Sequence, residues 1–179
     1  MKHAMVCFYF LISVLSIHSQ TYTSTDNGSK IHFVIRNFGI RIGGDFMGLK
    51  GTIVFNPNAL SISRFDVTVD AKTVDTDNNT RDKHLRSADY FDSGKYPVLG
   101  FKSTKVTEST IPGRYFIIGN LTIKGITKQV QFGFSATPVN NGYLFIGEFK
   151  INRRDFGVGS NSLVLSDDVN VNLKITAIK

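Results

Sequence analysis

Cysteine is nearly absent from this 179-residue chain: the one thiol, Cys7, lies inside an apolar N-terminal run. Beyond that run there is no disulfide, no thiolate metal ligand and no cysteine nucleophile. Long hydrophobic stretches are missing too. The longest mostly apolar run goes only from Ala4 to Ile17, short of the ~20 residues that a membrane span needs. With Lys2 and His3 before it and His18, Ser19 and Gln20 after it, the run reads as a secretory signal peptide over residues 1–20, and Cys7 comes too early in it to be a lipid-attachment cysteine. Residues 21–179 then form one domain, large enough to build a core without covalent staples. That domain has no stable membrane span.

Blocks of like charge are also lacking. The chain carries +7, or +6 once Lys2 goes with the signal peptide, and Arg153-Arg154 is the one adjacent basic pair. A nucleic-acid groove needs a clustered basic face, so scattered charge predicts a solvated surface and no nucleic-acid partner. Catalytic signatures fail in the same way. There is no G-x-S-x-G elbow. "GVGSNS" lacks the third glycine of a dinucleotide loop. Asp155-Phe156-Gly157 has no glycine-rich loop or H-R-D to make it a kinase triplet, and reads as a turn with Phe156 over the core and Asp155 bonding nearby backbone. Helix is scarce as well: only residues 79–88, "NTRDKHLRSA", look helical, with Thr80 as cap and Leu85 as the single large apolar residue.

What the chain does contain is alternation. In "VNVNLKITAIK", Val169, Val171, Leu173, Ile175 and Ala177 fall on one side, opposite Asn170, Asn172, Lys174 and Thr176. Period two marks a strand with one buried face. The pattern recurs in Ile31, Phe33 and Ile35; in Met47, Leu49, Gly51, Ile53 and Phe55; and in Phe65, Val67, Val69 and Ala71. It continues in Tyr115, Ile117, Gly119, Leu121 and Ile123; in Val130, Phe132, Phe134 and Ala136; and in Tyr143, Phe145, Gly147, Phe149 and Ile151. "PVLGFKSTKV" is the least regular, with Leu99, Phe101 and Ser103 on one face. Turn signals separate the runs, among them Asn56-Pro57-Asn58, Ile111-Pro112-Gly113 and Asn140-Asn141-Gly142, the last read as a hairpin.

Eight such strands predict an all-β protein. Antiparallel closure into an eight-stranded barrel, with one or two short helices, removes exposed edges; a two-sheet sandwich is the competing layout. An eight-stranded barrel either fills its interior with side chains or holds one small ligand. All 15 phenylalanines except Phe8 and Phe10 lie beyond residue 20, many on the apolar faces. Gly51, Gly119 and Gly147 share those faces, where missing side chains would leave room. An unpaired edge at an imperfect closure would let two chains pair as a homodimer.

Five stretches, in order, resemble the YceI-like family: "SKIHFVIRNFGI", "GDFMGLKGTIVF", "TRDKHLRSADYFDSGKYPVLGFKSTKV", "GNLTIKGITKQVQF" and "RRDFGVG". The resemblance covers residues 28–179. Its most specific parts are "RDKHLRSADYFD" with the following "YP", and "GNLTIKGITK", neither of them a catalytic fingerprint. It implies an exported, periplasmic, lipocalin-like barrel that binds a polyisoprenoid, its phosphate or another amphiphilic lipid, without cofactor or metal. The lining it implies is the apolar faces above: Phe33, Ile35, Leu49, Ile53, Phe55, Val67, Val69, Phe101, Ile117, Leu121, Phe132, Phe134, Phe145, Phe149, Val171 and Leu173, with Tyr90 and Phe91 turned inward over the cavity. One departure matters. Asn37 stands where the family often has histidine, so no head-group role is carried over to that position.

The polar residues leave alternatives. Arg81, Arg86, Arg153 and Arg154, with His84, are placed to form a mouth that holds a phosphate bidentately. Alternatively Arg81 and Arg86 pair with Asp82, Asp89 or Asp92, or with Asp75 and Asp77, and pin the loop. A hydrolase or isomerase using His84 and Asp82, near Ser87, is the enzymatic reading. A metal site on His32 and His84 lacks a declared third ligand. A third possibility is a barrel with a filled interior and a purely structural role.

Overall fold

The structure, a computed structural model, describes residues 20–179; the signal peptide expected over residues 1–20 lies, but for Gln20, outside the described residues. Nine strand segments follow one another: β1 (Thr21–Asn37), β2 (Ile40–Phe46), β3 (Lys50–Val54), β4 (Arg64–Asp70), β5 (Val98–Glu108), β6 (Arg114–Ile123), β7 (Ile126–Val139), β8 (Gly142–Asn152) and β9 (Leu165–Ile178). All pairs are antiparallel, and β9 pairs back onto β1 to close the sheet. The staves number eight because β2 and β3 are halves of one, pairing with β1 at Ile31–Asn37 and Thr21–Thr23 respectively. The expected eight-stranded barrel forms, and the two-sheet sandwich does not. One helix, α1 (Asn79–Leu85), and three single 3-10 turns lie in the connections. Asn78, not Thr80, caps α1, its side chain accepting from the Arg81 N–H.

The β1–β9 ladder carries a bulge near the start of β1. Thr25 pairs with Thr176 and Lys30 with Lys174, so the four residues Asp26–Ser29 bulge opposite one residue of β9. The bulge is useful. Its Asp26 carboxylate accepts from the N–H groups of Gly48 (3.0 Å) and Leu49 (2.7 Å), the backbone donors orphaned where β2 ends and β3 begins. Thr176 ties the other side, its N–H donating to Ser29 Oγ and its hydroxyl to the Gly28 carbonyl. β2 falls outside the period-two reading because Gly44 stands between its inward residues Ile42 and Phe46. In β5 the irregularity is a bulge between Ser103 and Lys105. It moves the inward phase from Phe101 to Val106, while Ser103 Oγ accepts from the buried Phe65 N–H at 2.8 Å.

One end of the barrel is closed by aromatic rings. Phe55, 1% exposed, has its ring centroid 5.1–6.3 Å from those of Phe65, Tyr115, Phe134, Tyr143 and Phe145, all edge-on. Burial, and next the neighbouring Tyr143, raise the pKa of the Tyr22 and Tyr115 phenols above the ordinary value near 10. The folded state thus holds these protons more tightly than the unfolded chain, and their contribution is complete below the unfolded value. Urea unfolding midpoints are expected to stay level across neutral pH and to fall as pH rises past about 10. A midpoint that rises there would contradict the burial of the two phenols.

Candidate functional site

Above the aromatic plug the barrel encloses a cavity of about 610 Å3, inside the ~300–1,000 Å3 range of small-molecule sites. Its wall comes from every stave. Phe33, Ile35, Leu49, Val67, Val69, Phe91, Phe101, Ile117, Leu121, Phe132, Phe134, Phe145, Phe149, Val171 and Leu173 all face it. Ile53 and Phe55 do not: they are 0% and 1% exposed within the closed end, where the rings packed around Phe55 fill the interior. Several wall residues, including Phe33, Phe101, Phe132, Phe149, Val171 and Leu173, are only half-buried. A filled core would bury such side chains completely, so the filled-barrel expectation does not hold.

The room does not come from the glycines in the way the pattern implied. A Cβ on Gly119 would sit 2.4 Å from the Phe101 ring, so that ring already occupies the space. At Gly51, with φ +138°, a Cβ would meet the Asp66 carbonyl at 2.1 Å; the residue permits close backbone approach. Only Gly147 of the three faces the cavity. Wall residues that the period-two reading missed include Ile42 and Phe46 of β2, hidden by Gly44 between them, and Phe156 and Val158 after β8.

The charged stretch between β4 and β5 closes one side. Asp82 is 3% exposed, and its Oδ1 accepts from the backbone N–H and the hydroxyl of Thr76. Arg81 completes the knot, donating from Nε to Thr76 Oγ1 (2.7 Å) and from Nη2 to the Thr76 carbonyl (2.6 Å). Arg86 reaches the carbonyls of Lys72 and Val74 at 2.7 and 2.8 Å. The arginines do pin this loop, yet through backbone carbonyls and Thr76 instead of Asp82, Asp89, Asp92, Asp75 or Asp77. Carbonyls left by the turn after β4 need donors, and a guanidinium fork supplies two at once. Arg86 is therefore not a mouth residue. Tyr90 and Phe91 do turn over the cavity, Phe91 packing edge-on to Phe46 at 5.3 Å.

Catalytic geometry is not assembled here. Asp82 is turned to Thr76, while His84 lies on the cavity rim with its ring 4.8 Å from that of Tyr90. Residues two apart on a helix point in different directions, which separates the pair that the enzymatic reading requires. His32 bonds Asp45 through Nδ1 at 2.7 Å, and among the described residues no cluster of three metal-ligating side chains exists. His84 and Arg81 remain as polar groups facing the cavity.

On the same side of the barrel, next to Tyr90 at Gly159, Arg153 also faces the cavity but has its donors in use. Nε donates to the Ser166 carbonyl, Nη1 to that of Val158, and Nη2 to the Asp167 carboxylate, all at 2.8–2.9 Å. Arg154 points outward to Asn161 and Asp167 and is not on the wall. Phe156, 2% exposed, covers the core as expected. Asp155 is exposed, and the backbone bond at this turn comes from Asn152, whose Oδ1 accepts from the Arg154 N–H.

The YceI-like domain family matches residues 22–177. The chain belongs to the YceI-like family. A UPF0312 protein of Pectobacterium atrosepticum is 32% identical over 158 residues, 83% of this chain and 80% of the relative. Among solved structures, BcnA of Burkholderia cenocepacia matches with a TM-score of 0.79 at 22% identity, over 84% of this chain and 96% of that one. A polyisoprenoid binding domain from Saccharophagus degradans, implicated in plant cell wall breakdown, matches with a TM-score of 0.69 at 14% identity, over 88% and 97%. At those identities the likeness is one of fold. In this YceI-like barrel the stretch "RDKHLRSADYFD" is the clamp that holds the side of the cavity shut: Arg81, Asp82 and Arg86 fix it, and Leu85, Tyr90 and Phe91 supply its apolar face.

Proposed function

We propose that this YceI-like barrel is an exported lipid-binding protein that holds a polyisoprenoid or similar long-chain amphiphile for carriage, storage or sensing in the periplasm. The carrying observation is the cavity of about 610 Å3 whose apolar wall stays half-exposed to its own interior. An apolar tail entering it removes both surfaces from water. Each buried methylene contributes roughly 0.8 kcal/mol, and several kcal/mol of ordering and immobilisation cost is subtracted. The head group would stay at the rim, which His84 and Arg81 line. A phosphate or another acceptor-rich head suits those donors. The signal-peptide pattern of residues 1–20 supports export, since an insoluble tail outside the cytoplasm needs a protein shelter.

Native mass spectrometry of the purified protein, followed by organic extraction, tests this reading. The expected result is one amphiphile per chain, with an intact mass that lacks the signal peptide. Leu173→Trp, which adds an indole to the wall, is expected to cut the retained lipid at least about tenfold, since overpacking excludes a ligand more easily than it unfolds a roomy site. A barrel that neither retains nor takes up any amphiphile would sink the proposal. Turnover of lipid esters or diphosphates, lost in His84→Ala, would replace it with the enzymatic one.

A further inference from the structure

We infer that the mouth of the barrel docks onto the surface of an anionic lipid bilayer. Two segments form this part of the rim: the turn between β1 and β2, and the connection from Gly159 to Val164 that leads into β9. The Phe38 N–H donates to the Val164 carbonyl at 2.9 Å, so they act as one surface. It carries the three most exposed large apolar side chains among the described residues. Leu163 is 104% exposed, Phe38 74% and Ile40 69%, with Val164 at 39% beside them. Scattered apolar residues on a surface are ordinary; a cluster on two joined loops is a contact surface. Phe38 and Val164 also border the cavity, beside the uncharged Asn37, Ser160, Asn161 and Ser162, so the patch is continuous with the cavity mouth.

Backbone strain points the same way. The turn is Phe38-Gly39, with φ +50° and +79°. Both residues of such a tight hairpin turn need positive φ, which glycine and asparagine adopt at little cost and a bulky aromatic rarely does. The chain nonetheless holds a phenylalanine there and aims it at solvent. Strain retained on an exposed side chain is the pattern of a functional contact.

Charge selects the partner. Arg36 and Arg41 stand directly opposite each other across β1 and β2, an arrangement that like-charge repulsion disfavours in water. Arg36 also donates to the Gly39 carbonyl, which holds it beside the tip. No acidic residue occurs in Arg36–Arg41, and Gly159–Leu165 carries no charge. The acids nearby are engaged: Asp167 lies between Arg153 and Arg154, and Asp168 pairs with Lys150. Asp75 and Asp77 border a separate polar hollow with Arg41, Arg81 and His32. An apolar tip flanked by the two guanidinium groups of Arg36 and Arg41 matches a bilayer, whose phosphates meet the arginines while the tip enters the interface. A second copy of this chain would instead bring the same arginines face to face. The route it offers a lipid tail, from bilayer to cavity without crossing water, rests on the function proposed above.

Co-sedimentation of the purified protein with vesicles of equimolar phosphatidylglycerol and phosphatidylcholine, against phosphatidylcholine alone, tests the docking. Binding is expected to the anionic vesicles and to weaken as added salt shortens the screening length below about 10 Å. Ile40→Asp with Leu163→Asp, at residues off the cavity wall, is expected to weaken it at least about tenfold. Circular dichroism should show the variant folded, and extraction should recover the same retained lipid from it. Wild-type protein that ignores anionic vesicles, or a double variant that still binds them equally, overturns the inference. So does a dimer in sedimentation velocity that the double variant dissolves, because the patch is then a self-interface. An empty barrel that binds vesicles refutes the ligand reading alone; a loaded barrel that does not refutes the docking alone.

Discussion

Replacing Phe55 by alanine is expected to destabilise the protein by about 3–5 kcal/mol, the range for emptying a fully buried aromatic site. For a chain of this size each kcal/mol lowers the melting temperature by roughly 2–4 °C, so a fall on the order of 10 °C should appear in a thermal melt. The reason is the number of rings that meet it: Phe65, Tyr115, Phe134, Tyr143 and Phe145 all pack edge-on against Phe55, and none can move inward without leaving its own contact. Phe65, Phe134 and Phe145 also form the floor of the cavity. Removing Phe55 behind them gives that floor space to yield. The same variant is therefore expected to retain amphiphiles with longer tails than the wild type, read by extraction and mass spectrometry. A melt within a degree or two of wild type would show that the plug does not hold the closed end.

The second large effect is expected at Arg153. This residue is 3% exposed, and its guanidinium satisfies the carbonyls of Val158 and Ser166 together with the Asp167 carboxylate. Removing it leaves Asp167 with Arg154 alone and the Val158 and Ser166 carbonyls without their donor, at a cost of about 1–3 kcal/mol for each carbonyl. Arg153→Ala should therefore lower the melting temperature by a margin like that of Phe55→Ala. It should also speed amide exchange in residues 158–166, the loop these bonds fold. Arg153→Lys is not expected to rescue, because one ammonium on a flexible stem cannot reproduce a planar fork with donors in three directions. Stability close to wild type in the lysine variant would mean that charge, and not fork geometry, is what the loop requires.

The contrast between these two residues shows what was legible. Phe55 lies on an apolar face, as the alternation implies, but belongs to the closed end and not to the cavity wall. Period two assigns a face but cannot say how far along the barrel axis a residue lies, and that position separates the plug from the wall. Arg153 is one of four arginines that guanidinium chemistry alone offers as mouth groups. Whether its donors are taken depends on carbonyls of a loop 5–13 residues away, which no local pattern encodes. Gly44 hid β2 in the same manner: its missing side chain makes room for the Phe33 ring and the Thr76 methyl, at 2.5–2.6 Å from where a Cβ would stand.

The stretch "TRDKHLRSADYFDSGKYP" makes the point for the polar groups. Its composition resembled a catalytic centre, and its helix and its inward Tyr90 and Phe91 were readable. That Asp82 turns to Thr76 and away from His84 was not, because residues outside the helix decide which oxygen finds which donor. By itself the sequence determined the all-β class and most of the inward faces, since alternation is set by the pleat of each strand; the segment β2 and the choice of barrel over sandwich came only with the pairing of β9 onto β1. The tertiary structure alone decided where the interior is filled and where it is empty, which arginines have donors to offer, and which loops form the exposed mouth. Those are matters of contact between residues far apart in the chain, and they exist only once the barrel has closed.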